Sequence, residues 1–290
     1  MPPKPELLPP DSATILERSR SVFFAQWEEL LRLRRAVLKT SDLDDIHDLR
    51  VASRRFRAAL ELYYPFAPKS VKTELRKSVC KLTRILGGLR NIDEAHLFFQ
   101  TRVKTDTTDK SAISQALSEL RSRELKRIEK ALASFDHRTL DRMVREMIAG
   151  MNEECITARN RFSLLAYFSE VSIRQYMPIH RSLAGSTVSG HRTARHSLRI
   201  AIKKWRYFLE IVTQILNRDY AHILDQLKEY QSLLGRMNDI VEFEGLFRSL
   251  DLPRNEQDHI EAILKAEDAL LLQSFTELIE QKPLHYSFLI

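Results

Sequence analysis

From about residue 13 almost to its end, the chain repeats apolar residues every three or four positions, the period of a helix with one buried face. Leu49, Ala52, Phe56, Ala59, Leu60 and Tyr63 form one such stripe, and Val79, Leu82 and Leu86 form another. The spacing predicts helices over about 13–39, 44–64, 68–87, 91–103, 112–134, 137–160, 162–184, 191–217, 219–235, 238–250 and 255–281. Polar runs over 104–110 and 184–190 read as loops. No stretch alternates as a strand does, so the expected fold class is all-α. Composition agrees: among 290 residues there are only 7 glycines and 10 prolines, and Pro2, Pro3, Pro5, Pro9 and Pro10 crowd the beginning. Residues 1–12 are therefore expected to be a disordered proline-rich tail, and 283–290 a C-terminal tail.

Two segments 149 residues apart repeat each other. His47-Asp48-Leu49-Arg50 continues to Arg54, Arg55 and Arg57. His196-Ser197-Leu198-Arg199 continues to Lys203, Lys204 and Arg206 at the same spacing. A second pair of matching segments follows, Leu86-Gly87 with Arg90-Asn91 and Leu234-Gly235 with Asn238-Asp239. In each, Leu-Gly is expected to close one helix and the Asn or Asp to cap the next. The chain thus divides into repeat 1 over about 13–135, a connecting helix over about 137–160, and repeat 2 over about 160–282, each repeat a bundle of about four helices.

Net charge is +7 and the sequence pI is about 9.4. The excess is concentrated, since residues 192–206 hold six Arg or Lys and no Asp or Glu. At about 100° per residue, Arg50, Arg54, Arg57 and Glu61 fall with His47 on one narrow stripe, opposite Leu49, Ala52, Phe56 and Ala59. His196, Arg199, Lys203, Arg206 and Glu210 repeat these angles, with Trp205 matching Phe56 on the core side. Arg55 and Lys204 flank the ridges, and Tyr207 borders the second. A solvated helix face usually mixes charge signs, whereas these neighbours three and four apart repel. The paired ridges call for an anion. Lys77, Lys81 and Arg84 make a weaker basic stripe, and Arg90 and Lys228 stand near the two Leu-Gly steps.

Other chemistries find less support. No Gly-x-x-x-x-Gly-Lys phosphate loop occurs. His47-Asp48 is the dipeptide of metal phosphohydrolases, but its duplicate is His196-Ser197, and Arg50 and Arg54 would repel a cation. His96, His180, His191 and His222 show no ligand spacing, so no metal and no cofactor is expected. Cys80 and Cys155 are expected as buried free thiols. No apolar run reaches the roughly 18 residues of a membrane span, and the N-terminus lacks an apolar signal core. A soluble cytoplasmic protein without a membrane partner is expected. Nucleic acid is the competing ligand. Single-strand binders place aromatics for base stacking, yet Phe56 and Trp205 fall on the core side. Backbone-directed RNA binding stays open as the alternative.

The doubled pattern, His-x-x-Arg-(Val/Ile)-x-x-x-(Arg/Lys)-x-Arg with a later Leu-Gly-x-x-x-(Asn/Asp), resembles the CHAD family, the conserved histidine α-helical domain, over about 13–282. The resemblance implies two four-helix bundles related by a pseudo-twofold axis around a basic central cavity that binds inorganic polyphosphate without catalysis. The implied roles are storage, granule targeting or scaffolding of polyphosphate-metabolising enzymes, in the cytoplasm and at polyphosphate granules. By position, His47, Arg50, Arg54, Arg55, Arg57, His196, Arg199, Lys203, Lys204 and Arg206 match the family motifs. Lys77, Lys81, Arg84, Arg90, Tyr207 and Lys228 are further candidates to line the cleft. Arg90-Asn91 departs from the family's Arg-Asp. The CYTH-type triphosphatase often fused to such domains needs Glu-x-Glu-x-Lys on a strand, and the nearest match here, Glu242 and Glu244, ends in Leu246 on a helix. Flanked by arginines, the two histidines are expected to gain protons as phosphate arrives, tightening binding as pH falls from about 8 to 6.

Overall fold

The computed structural model describes residues 10–102, 109–152, 163–250 and 253–288, and among these only helices, turns and bends are formed. In chain order the α-helices are α1 (Ser12–Thr40), α2 (Leu43–Tyr63), α3 (Lys69–Arg102), α4 (Asp109–Ala133), α5 (His137–Ala149), α6 (Leu164–Ser186), α7 (Arg192–Leu216), α8 (Ala221–Arg248) and α9 (Arg254–Gln281). A single 3-10 turn, Tyr64–Phe66, links α2 to α3. Several starts are fixed by a side chain that accepts an otherwise unpaired amide. Asp11 accepts from the Thr14 amide at 2.7 Å, Asp42 from the Asp44 amide at 2.9 Å and Asp136 from the Thr139 amide at 3.2 Å.

The expected helix breaks at Leu-Gly do not occur. α3 runs unbroken through Gly87 and Gly88, and α8 through Gly235. A glycine ends a helix when its backbone turns left-handed and the apolar stripe stops with it. Here the stripe continues: Leu86, Leu89, Ile92, Ala95 and Phe99 are buried along α3, and Leu234, Met237, Ile240, Phe243 and Phe247 along α8. Each further buried apolar side chain contributes about 1.5–3 kcal/mol, more than the roughly 1 kcal/mol a mid-helix glycine costs. Asn91, Asn238 and Asp239 are therefore mid-helix residues whose side chains are free for other work, not caps. At Gly88 an added Cβ would lie 2.7 Å from Glu124 Oε2 of α4, a contact the flexible glutamate side chain can relieve by swinging aside.

Other boundaries moved less. The helix expected over 137–160 stops at Ala149, followed by Gly150, and 153–160 fall outside the described residues. α4 already begins at Asp109 within the expected 104–110 loop, whose residues 104–108 are outside the described residues. α6 extends to Ser186, so the second loop shrinks to 187–191, turning at Gly190 with φ 81°. Cys80 is a half-buried free thiol, and Cys155 lies outside the described residues. Of the expected tail 1–12, residues 1–9 lie outside the described residues, and Asp11 already caps α1.

Neighbours along the chain pack on one another: α1 on α2, α2 on α3 and α3 on α4, then α6 on α7, α7 on α8 and α8 on α9. The halves meet through α1 with α6 and α7, α2 with α7, and α3 with α8. Each half has an aromatic centre closed by the segment after its fourth helix. Trp27, tilted against Phe56 at 5.1 Å, is covered by Phe135 and donates from Nε1 to Asp141 at 2.9 Å. Tyr176, 4.9 Å from Trp205, is covered by Tyr286 and donates to the Leu284 carbonyl at 3.0 Å. Residues 283–288 thus form a packed strap, with Leu284 and Phe288 buried.

Candidate anion-binding site

α2 and α7 pack side by side with their apolar faces inward: Leu49, Phe56, Leu198 and Trp205 have no exposed surface. This orientation carries the two basic ridges toward a common region. Arg50, Arg54, Arg199 and Lys203 repel one another there, joined by Arg90 from α3. Arg50 is only 5% exposed, and its buried Nε has no hydrogen-bond partner. Arg199 Nε is likewise buried and unpartnered. Among the described residues, none of Arg50, Arg54, Arg199 and Lys203 has a carboxylate within 4.0 Å.

Burial and like charge therefore act in the same direction. Burial first, then Arg54 and Arg90, pushes the Arg50 guanidinium down, although a delocalised guanidinium keeps its proton. Arg54 and Arg199 are pushed down chiefly by burial, opposed by Tyr207 at Arg54 and by Asp239 at Arg199. Lys203 carries the largest consequence. Burial, then Arg199, Arg54, Arg50 and Arg90, brings its ammonium down to about 7. The titrating group at the centre of the cluster is a lysine, while His47 and His196 lie exposed at the beginnings of the ridges.

The remaining candidates scatter around this centre. Arg55 lies 3.2 Å from Glu210 across the interface between halves, and Arg206 lies 3.2 Å from the same carboxylate while its guanidinium sits 5.1 Å from the Tyr207 ring. Arg57 and Lys204 are exposed, with Arg57 close enough to repel Arg54. His196 Nδ1 is 3.1 Å from Asn238 Oδ1. Lys77, Lys81 and Arg84 are exposed on the side of α3 away from Val79, Leu82 and Leu86, and none of them is among the main influences on Arg50, Arg54, Arg199 or Lys203. Lys228 pairs with Asp225 at 2.8 Å and lines a separate cavity of about 610 Å³ with Val22, Arg55, Tyr207 and Glu210. Its place on another flank of α2 and α7 removes it from the ridge, because position relative to Leu-Gly does not decide which side of α8 it occupies.

Two contacts were missed from sequence, both through the false helix stops. Arg90 reaches across from α3 to Asp239 of α8, with Nη1 and Nη2 each 3.5 Å from a carboxylate oxygen, and also lies 3.4 Å from Glu94. Asn91 Nδ2 donates to Glu242 Oε2 at 3.2 Å. The repeat alignment did carry a signal, since Arg90-Asn91 and Asn238-Asp239 occupy equivalent places with different charges. Among the described residues no group of three or more His, Cys, Asp or Glu is placed to hold a metal ion, and no helix is long and apolar enough to cross a membrane.

A model of the CHAD domain family matches residues 21–248. The fold is similar to the crystal structure of the CHAD domain from the plant Ricinus communis, with a TM-score of 0.73, 21% identity, and coverage of 95% of this chain and 94% of that one. It is also similar to PptA from Streptomyces chartreusis, with a TM-score of 0.66, 14% identity, and coverage of 94% and 98%. No curated protein matches the sequence.

Proposed function

The chain belongs to the CHAD domain family, and from that premise we propose that it binds inorganic polyphosphate, without chemical conversion, along the paired ridges of α2 and α7. The observation that carries this reading is the buried, unpaired Arg50 beside Arg54, Arg90, Arg199 and Lys203. An uncompensated buried charge costs several kcal/mol, and a fold that keeps such groups together is poised for an opposite charge from outside. Polyphosphate supplies one negative charge per unit along a flexible chain and has no bases. Arginine forks suit its adjacent oxygens, and a lysine adapts as a point charge.

Equivalent helices of the two halves face one another, α1 with α6, α2 with α7 and α3 with α8. A twofold-like pairing of duplicated bundles brings matching helices together in this way, which supports the reading of one groove shared by both halves, although α1 also packs on α7 with no comparable packing of α2 on α6. Phe56 and Trp205 are fully buried and Tyr207 nearly so, leaving no aromatic platform on the ridge for bases. Storage of polyphosphate, attachment to its granules or scaffolding of polyphosphate enzymes in the cytoplasm would each use such a site.

The test is binding of long-chain polyphosphate, compared with DNA and RNA at equal physiological salt, with phosphate release followed in parallel. Polyphosphate should bind tightest, release no phosphate and raise the melting temperature by mass action. Reversing charge at Arg54 and Lys203 together should abolish that rise without unfolding the protein. Tighter binding to DNA than to polyphosphate would overturn the reading.

A further inference from the structure

Asp239 is a carboxylate set inside the cation cluster. It is 8% exposed and faces Arg90 from α3, Arg199 from α7 and Arg50 from α2, with Glu94 of α3 the like charge nearby. Burial pushes its carboxyl up, and the three arginines pull it back toward the ionised form. Its contact with Arg90 is two-pronged but long, 3.5 Å on each side. The same chain makes a closed fork elsewhere, where Arg192 meets Glu244 at 2.6 and 2.8 Å. Charge-assisted hydrogen bonds normally close to about 2.7–2.9 Å. Arg90 is thus held by Asp239 without being locked to it. The equivalent position in the first half is Asn91, which carries no charge and turns to Glu242 instead, so Asp239 has no acidic counterpart there; Glu94 of α3, 3.4 Å from Arg90, is the other carboxylate on this guanidinium and lies more exposed.

Given the polyphosphate reading, on which this rests, we propose that Asp239 is a built-in counter-anion that occupies Arg90 in the empty site and sets the threshold a ligand must exceed. A lone phosphate at Arg90 merely exchanges one anion for another. A chain that also engages Arg50, Arg54, Arg199 and Lys203 keeps a net gain after Asp239 is outcompeted. Asp239 therefore raises the selectivity for long polyanions over single or very short ones.

The near-isosteric Asp239→Asn variant tests this by titration with orthophosphate, tripolyphosphate and long-chain polyphosphate. Loss of one negative charge at this range should tighten tripolyphosphate about tenfold and lower the ratio of long-chain to tripolyphosphate affinity. Asn91→Asp, which puts a carboxylate at the equivalent place in the first half, should weaken tripolyphosphate and keeps the test open if Asp239→Asn fails to fold. Unchanged or weaker tripolyphosphate binding by a folded Asp239→Asn, or unchanged binding by Asn91→Asp, overturns the proposal. A third arm separates it from the polyphosphate reading. The rise in melting temperature with sulfate should set in at lower sulfate in Asp239→Asn even if the wild-type protein ignores polyphosphate, and an unmoved onset overturns the counter-anion role by itself.

Discussion

Lys203 should make the affinity of this site for a polyanion depend on pH, with a size that follows from its surroundings. In the empty protein its ammonium is brought down to about 7 by burial and by Arg199, Arg54, Arg50 and Arg90. A bound polyanion reverses the sign of the local potential and returns the lysine toward its ordinary value near about 10.4. Binding therefore takes up a proton. Affinity is complete below about pH 7, falls as pH rises through the free-state value, and stops falling only above the bound-state value. For one proton the weakening is about 1.1-fold at pH 6, about 11-fold at pH 8 and about 100-fold at pH 9, because each unit corresponds to about 1.4 kcal/mol. Calorimetry in two buffers of different ionisation enthalpy should find about half a proton taken up at pH 7 and about 0.9 at pH 8. Lys203→Arg, which stays charged throughout, should bind with a nearly flat profile from pH 7 to 9. If Lys203→Arg keeps the full wild-type slope over that range, the reasoning is refuted and the titration belongs elsewhere. A slope confined to pH 6–7 in this variant would return a share to His47 and His196. The empty wild-type protein should also grow more stable between about pH 7 and 10, where the unfolded chain holds the lysine's proton and the folded one does not.

Further predictions concern the fold that carries the site. Gly235 lies mid-helix with nothing within 4 Å of an added Cβ, so Gly235→Ala should stabilise the protein by about 1 kcal/mol, a rise of a few degrees in melting temperature; a fall would show that the backbone there is not freely helical. Gly88→Ala should give only part of that gain, because the Glu124 carboxylate, 2.7 Å from the added Cβ, must swing aside and loosen its surface pairing with Arg127, 3.1 Å away, at a cost of about 0.3–0.5 kcal/mol. Removing residues 283–290 uncovers Tyr176, Trp205, Phe208 and Tyr220 and takes away buried Leu284 and Phe288. Urea unfolding should then show a loss of about 3–6 kcal/mol, and a change below about 1 kcal/mol would mean the strap contributes no burial that matters.

Much of this protein was legible in the sequence because helical periodicity and ridge charge are local properties. The all-α class followed from spacing alone, and the 149-residue repeat with its opposed apolar and basic faces placed Arg50, Arg54, Arg199 and Lys203 on one kind of surface. These depend only on the 3.6-residue turn and on which side chains prefer water, so no distant contact could change them. Helix continuity was different. Whether Gly87 and Gly235 end a helix depends on what lies beyond them, and the partners that bury Leu89, Ile92, Met237 and Ile240 come from distant parts of the chain. Only packing could decide that Asn91 and Asp239 make contacts between halves, and that Asn238 meets His196 within the second half, instead of capping helices. The same holds for the protonation of Lys203. Sequence placed a lysine on the ridge, but burial and four arginines from α2, α3 and α7 bring its ammonium down to about 7, since electrostatic energy depends on distance and solvent access, neither of which exists until the halves meet.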